Sequence, residues 1–533
     1  MKGEQIMFMN ELKATLNNEF NTSVTENGAL GYKTTGKELL DMNFSVSSMR
    51  NMTEQQIVDK FVKAFYEDKL LAVKWLFYAR DVREGIGERR LFRVCLKYLA
   101  EQHPEIAAVV IPLIPKYGRW DDLWCLLDTQ LRDNVLELVL QQLNDDANNY
   151  VNNQSISLLA KWLPSINTSS EETKRLARII IKGLCFKSER QYRKTLSMLR
   201  SYLKVVEVDM SAKRWDVIDY AAVPSRANLI YNDAFLKNDE ERRRGYLEAL
   251  QKGETKINAG VLFPHDIVHK YCGGCRAPYS ENTTLEELWK ALPDYVQGSG
   301  NTICVADGSG SMGSTVGNTG VTALEVANAL AIYFSERSSG QFKDQYITFS
   351  ENPQIVNFQN AKSLKEKLEI ASHYIEVADT NIEAVFDLIL TTAVKKHMTQ
   401  DELPSNILIL SDMEFNECVF VQDGTETYRD WWSGQIKTRP RLVKPSGKLF
   451  NILAKRYAEH GYKLPRLVFW NICSRTGTIP VKENDLGVAL VSGFSPAIAK
   501  MVLSNSTDPF ECLLEQLNAE RYEPVELALQ LVL

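Results

Sequence analysis

The chain has 533 residues, 44% hydrophobic and 24% charged. At roughly 100 to 200 residues per domain this composition predicts two to four globular domains and excludes disordered and fibrous classes. The longest apolar runs, residues 467–470 and 488–491, fall far short of the roughly 20 needed to span a bilayer, so no membrane partner is expected. Lys plus Arg total 62 against 68 Asp plus Glu, a net charge of −6, so binding a polyanion requires a locally basic surface.

Lys2, Glu4, Glu11 and Lys13 interrupt the first twenty residues, which excludes the apolar core of a secretory signal. Nine cysteines, odd in number and with only Cys272 and Cys275 close together, indicate a reducing, cytoplasmic setting rather than a disulfide framework. Residues 1–52 are polar and Asn/Thr-rich, with Gly28, Gly31 and Gly36 breaking any periodicity, and read as an irregular N-terminal arm.

From Thr53 the pattern turns helical. Phe61, Phe65, Leu70, Val73, Leu76, then Leu91, Val94, Cys95 and Tyr98 recur at three- and four-residue spacing, as in helices with one buried face. Lys74-Trp75 precedes Arg119-Trp120-Asp121, and Lys161-Trp162 precedes Arg214-Trp215-Asp216, a spacing that loosely fits stacked helical pairs. The tryptophans Trp120 and Trp215 are expected in the core. Residues 53–295 therefore read as a helical-repeat domain.

The grammar changes near residue 296. Strands are predicted over 301–306, 345–349, 406–410, 467–472 and 488–492, and helices over 322–336, 381–395 and 496–503. Near-continuous apolar strands alternating with helices imply a mainly parallel, doubly wound sheet over 296–503. Residues 504–533 form a helical or extended tail. The fold class is thus α followed by α/β, a helical solenoid joined to a sheet domain.

The first of these strands runs into Asp307-Gly308-Ser309-Gly310-Ser311. Three oxygen donors at alternate positions, with glycines allowing a tight turn, can converge on one point, and a hard divalent cation such as Mg²⁺ suits them. Asp379-Thr380-Asn381 and Ser411-Asp412 close later loops or strands. A phosphate-cradling loop would need a lysine after these glycines, and a nucleophile elbow would need glycine at position 309. A Gly/Ser turn holding no metal is the alternative.

Asp307-x-Ser309-x-Ser311 with Thr380 and Asp412 resembles the metal-ion-dependent adhesion site of von Willebrand factor A domains. That resemblance implies hydroxyl ligands from Ser309, Ser311 and Thr380, and direct or water-mediated carboxylates from Asp307 and Asp412. A partner carboxylate or water would complete the shell. Met413 stands where a glycine is frequent in that family.

Residues 78–89 (Tyr78-Ala79-Arg80-Asp81-Val82-Arg83-Glu84-Gly85-Ile86-Gly87-Glu88-Arg89) and 111–123, including Tyr117-Gly118-Arg119-Trp120-Asp121-Asp122, are similar to the helical module of the Ro (TROVE) family, and more closely to an uncharacterised family related to Ro. The resemblance spans about residues 55–500, with HEAT-like repeats before an A domain. It implies a ring-shaped fold and a small noncoding RNA as partner.

Residues 171–230 hold 13 Lys plus Arg against 7 Asp plus Glu. Ser188 is placed to cap a helix on which Arg190, Arg193, Ser197, Arg200 and Lys204, with Lys194 beside them, form a basic stripe opposite Tyr192, Leu196, Leu199 and Leu203. The stripe suits RNA phosphates; a solvated face pairing with neighbouring acids is the alternative. The arginines Arg80, Arg83, Arg89 and Arg90 are expected to pair with the interleaved Asp81, Glu84 and Glu88 rather than with a phosphate. His265, His269, Cys272 and Cys275 carry zinc-ligand chemistry, but four ligands so close in sequence strain a tetrahedron.

The leading expectation is a nonenzymatic RNA-binding protein with a Mg²⁺ site. The alternatives are a scaffold whose metal captures a partner's carboxylate and, less favoured by a carboxylate-poor ligand set, a phosphoesterase.

Overall fold

Capping residues and apolar spacing set the first helices. A computed structural model describes residues 20–28, 30–273, 277–296, 301–349, 353–374, 382–415, 421–429, 436–443, 449–480, 488–502 and 508–533. Thr53 accepts a hydrogen bond from the Gln56 backbone and the Gln56 side chain accepts one back, opening the helix Glu54–Glu67. Asp68 caps Lys69–Arg80 through the Leu71 amide. That second helix is buried from Ala72 to Arg80, because neighbours cover it on several sides. Further helices include Arg90–Gln102, Arg132–Val151, Glu171–Gly183, Glu189–Tyr202, Ser225–Asn238 and Pro264–Cys272.

Both Arg-Trp-Asp phrases open short 3-10 helices, Trp120–Leu126 and Trp215–Val217. Trp120 is buried as expected. Trp215 is half-buried, packed against a smaller second core of Val206, Ile218, Tyr220 and Phe235. Among the described residues no helix is long and apolar enough to cross a membrane.

The expected irregular arm is instead structured over its described part. Strands β1 (Thr22–Val24) and β2 (Leu30–Tyr32) pair antiparallel, and the helix Glu38–Phe44 buries every residue from Leu39 to Phe44. Four apolar residues in six, Leu39, Leu40, Met42 and Phe44, outweigh the polar average of the segment. Tyr32 and Ile479 exchange backbone hydrogen bonds of 2.8 and 2.9 Å, the Asn471 side chain donates to the Phe44 carbonyl at 2.7 Å, and the Trp75 indole donates to Asn43 at 3.0 Å. The segment is wedged between the helices and the sheet.

The central sheet contains β3 (Thr302–Asp307), β4 (Gln345–Phe349), β5 (Ile355–Asn357), β6 (Asn406–Ser411), β9 (Arg466–Asn471) and β10 (Val488–Ser492), with β7 (Val421–Arg429) and β8 (Ile436–Val443) forming a separate antiparallel hairpin. Its order is β10-β9-β6-β3-β4-β5, parallel except for the edge strand β5. Strands β3 and β10 are buried throughout because helices cover both faces, among them Ala323–Arg337. The order reverses between β3, which leads to β4, and β6, which leads to β9. Strand β5 and the β7–β8 hairpin escape the sequence reading because they lack apolar runs.

The tail forms the helices Pro509–Leu517 and Glu523–Leu529, which pack on Lys69–Arg80. Buried Lys74 donates to Glu526 at 2.6 Å and Asn518 at 2.9 Å. Tyr522 stacks on Tyr117 at 5.7 Å.

Candidate metal centre

In the register that sets Ala306 opposite Leu410, β3 and β6 deliver Asp307 and Ser411-Asp412 side by side at the carboxyl edge of the sheet. This is the point where strand order reverses, the usual ligand crevice of an open α/β sheet. Asp307 accepts from the Ser411 hydroxyl at 2.6 Å and from the Ser309 backbone at 2.9 Å. The turn Gly310–Gly313 then brings the Ser309 and Ser311 hydroxyls to 2.9 Å of each other. Asp412 accepts from the Glu414 amide through Oδ1 at 3.2 Å. Its Oδ2 is buried without a hydrogen bond, and the Arg475 guanidinium lies 3.4 Å away.

Burial, and then the charge of Asp412, push the Asp307 carboxyl above its usual range against the pull of its hydrogen bonds. Burial raises Asp412 as well, opposed by the Ser311 hydroxyl and Arg475. Two carboxylates that resist ionising together, beside two hydroxyl oxygens, fit a hard divalent cation, whose charge would offset both. Among the described residues no three His, Cys, Asp or Glu side chains gather as a metal cluster, so hydroxyls would be essential here. Thr380, the fifth residue of the expected set, lies outside the described residues. Met413 adopts φ +63°, the left-handed conformation that explains why glycine suits this position.

Sequence reading missed Glu414 and Arg475. Glu414 is buried; its Oε1 accepts from Ser474 Oγ at 3.2 Å and from the Arg475 and Thr476 amides at 2.9 Å each. Its Oε2 accepts from the Glu26 amide at 2.8 Å. The available signal was position: both residues follow the carboxyl ends of parallel strands.

The basic stripe is partly corrected. Ser188 caps the helix Glu189–Tyr202 as expected, with Tyr192, Leu196 and Leu199 buried. Arg190, Arg193 and Lys194 are exposed and form no ion pair among the described residues, and Lys204 is exposed just past the helix. Arg200 is not part of that face. It donates to the Ala160 carbonyl at 2.8 Å, Ser165 Oγ at 2.9 Å and the Leu163 carbonyl at 2.6 Å, holding the end of a neighbouring helix. At about 100° per residue it sits only about 40° from buried Leu196, on the border of the apolar face.

Of the arginines around Gly85, Arg80 and Arg89 pair internally, but with distant acids, and Arg90 is held by backbone carbonyls. Arg80 binds Asp122 at 2.7 Å, Arg89 lies 3.7 Å from Asp121, and Arg90 donates to the Met49 and Met52 carbonyls. Asp81 is taken by Arg521 and Glu88 by Arg50 at 2.6 Å. The zinc-type residues are engaged separately: His265 lies 5.0 Å from the Phe494 ring, His269 3.0 Å from Glu325, and Cys272 3.7 Å from the Tyr279 hydroxyl. Cys275 lies outside the described residues.

Residues 25–149 and 129–301, just over half of the chain, match a family described as a domain of unknown function, DUF2828. The chain belongs to that family. Residues 301–524 of this DUF2828 protein match a second domain of unknown function, DUF7788. It is 29% identical to uncharacterized protein L728 of Acanthamoeba polyphaga mimivirus, over 95% of the chain and 89% of that protein. Among solved structures it is similar to the RO (RSR) protein of Deinococcus radiodurans, with 13% identity, a TM-score of 0.42, and coverage of 85% of this chain and 92% of that one.

Proposed function

We propose that this DUF2828 protein is a nonenzymatic binding protein that holds a divalent cation, Mg²⁺ by its donor chemistry, at Asp307, Ser309, Ser311, Asp412 and Thr380, and binds small noncoding RNA on its helical half. The observation that carries the reading is Asp412 Oδ2, buried beside Asp307 and two hydroxyls with no hydrogen bond among the described residues and only the Arg475 guanidinium, 3.4 Å away, to offset its charge. Bound there, the cation would supply positive charge and open coordination positions for a partner's oxygen. The chain's own part is to hold the donors: Ser411 and the Ser309 amide orient Asp307, and the Glu414 amide orients Asp412. The hydroxyl-rich set suits capture of an oxygen more than activation of a water.

Exposed Arg190, Arg193 and Lys194 support the RNA arm, since cations with no acid partner among the described residues are free to meet phosphates. Filter binding with structured and single-stranded RNA across a salt series tests it. Submicromolar affinity that falls steeply with salt and weakens in an Arg190→Glu/Arg193→Glu/Lys194→Glu variant is the expected result. A second reading, a scaffold whose metal takes a protein carboxylate, is favoured by Glu26, a carboxylate already held at this sheet edge by Arg475. Absence of RNA binding at low salt, with a protein partner retained only in Mg²⁺ and lost in Asp307→Ala, would replace the first reading by the second.

A further inference from the structure

Arg475 is a residue that a cation site does not require. Its Nη1 lies 3.4 Å from Asp412 Oδ2, while Nε and Nη2 lie 2.6 and 2.5 Å from Glu26 Oε2. The guanidinium thus bridges an acid inside the site and an acid on the turn between β1 and β2. Both ends of the bridge are anchored by backbone to one side chain, because Glu414 accepts from the Arg475 amide at 2.9 Å and from the Glu26 amide at 2.8 Å. The two side chains reach solvent, with relative exposures of 37% and 56%, so they are free to shift while their backbones stay clamped. Arg50 is occupied by Glu88 at 2.6 Å and the Phe494 ring at 3.9 Å.

A divalent cation approaching Asp412 Oδ2 meets this fixed positive charge at close range, where like charges repel strongly. We infer that Arg475 is a tethered competitor for the cation. It neutralises Asp412 when the cation is absent and is drawn wholly onto Glu26 when the cation enters, so the N-terminal turn sets how tightly the cation is held. The inference rests on the cation reading above and adds a control to it.

The test is calorimetric titration of the full-length chain with Mn²⁺, with circular dichroism as a check of folding. Arg475→Gln should bind Mn²⁺ about tenfold tighter or better, because a repelling charge is removed. Glu26→Gln, which leaves Arg475 only Asp412 to pair with, should bind several-fold more weakly. The double variant should match Arg475→Gln, since Glu26 acts only through Arg475, and Arg475→Lys should stay near wild type. Wild-type binding that Asp307→Ala abolishes but folded Arg475→Gln leaves unchanged would overturn the inference alone. Failure of both wild type and Arg475→Gln to bind Mn²⁺ would overturn the cation reading and this one together.

Discussion

Asp122 shows how much one side chain can carry. It is fully buried and accepts from Arg80 and Arg93 at 2.7 Å each and from the Arg119 amide at 2.9 Å. Asp122→Ala would strand the buried Arg80 charge, and a loss of about 3–5 kcal/mol is expected in chemical denaturation. At the sheet edge the expected effect comes from the cation. On the proposed cation reading, millimolar Mg²⁺ should raise the unfolding temperature and EDTA reverse it, a stabilisation of about 2.7 kcal/mol at a hundredfold excess over the dissociation constant. Asp412→Asn should remove the response. The positions of Asp307, Ser309 and Ser311 were legible because their spacing is local to one turn. Glu414 and Arg475 were not, because their partners come from the 474–476 loop and the N-terminal turn.

The helix Pro264–Cys272 carries a pH-sensitive group. Burial favours the neutral imidazole and holds His265 down to about 4, from an ordinary value of 6.5. As pH falls through that window the unfolded chain takes up the proton first, so stability present above pH 6.5 is lost towards pH 4. The loss should reach up to about 3 kcal/mol for this residue. Asp41, Asp307 and Asp412, all raised, contribute with the opposite sign. The difference between wild type and His265→Leu across pH 4 to 7 therefore isolates the histidine. On Glu189–Tyr202, replacing Arg190, Arg193 and Lys194 by Glu should lower the log-log salt slope of single-stranded RNA binding by up to about 2, near 0.7 per phosphate contact. The helix and its cap were readable from spacing. The neighbouring carbonyls that claim Arg200 were not.

The whole molecule is tied together at several distant points, and Gly493 marks one of them. It follows β10 with φ +126°, and an added Cβ would lie 2.7 Å from Ile86 on the helical half and from Ile498. Its carbonyl accepts from the buried Trp470 indole at 2.7 Å. Gly493→Ala should cost about 1–3 kcal/mol and lower the stability of helices and sheet together, read as one shifted calorimetric transition. The tail adds a second tie through Lys74, Asp81 and Tyr117, which no local pattern in residues 504–533 announces.

Alternating helix and strand grammar, the alternate oxygens after β3 and the cap at Ser188 were determined by the sequence alone, since periodicity and turn chemistry act over a few residues. Tertiary structure decided that residues 39–44 of the supposed arm are buried, that Arg200 serves a neighbouring helix, that Arg80 and Arg89 find acids at 122 and 121, and that Arg475 stands between Asp412 and Glu26. Charges and apolar side chains settle with whichever partner the packed chain brings within a few ångströms, and sequence separation sets no bound on that distance.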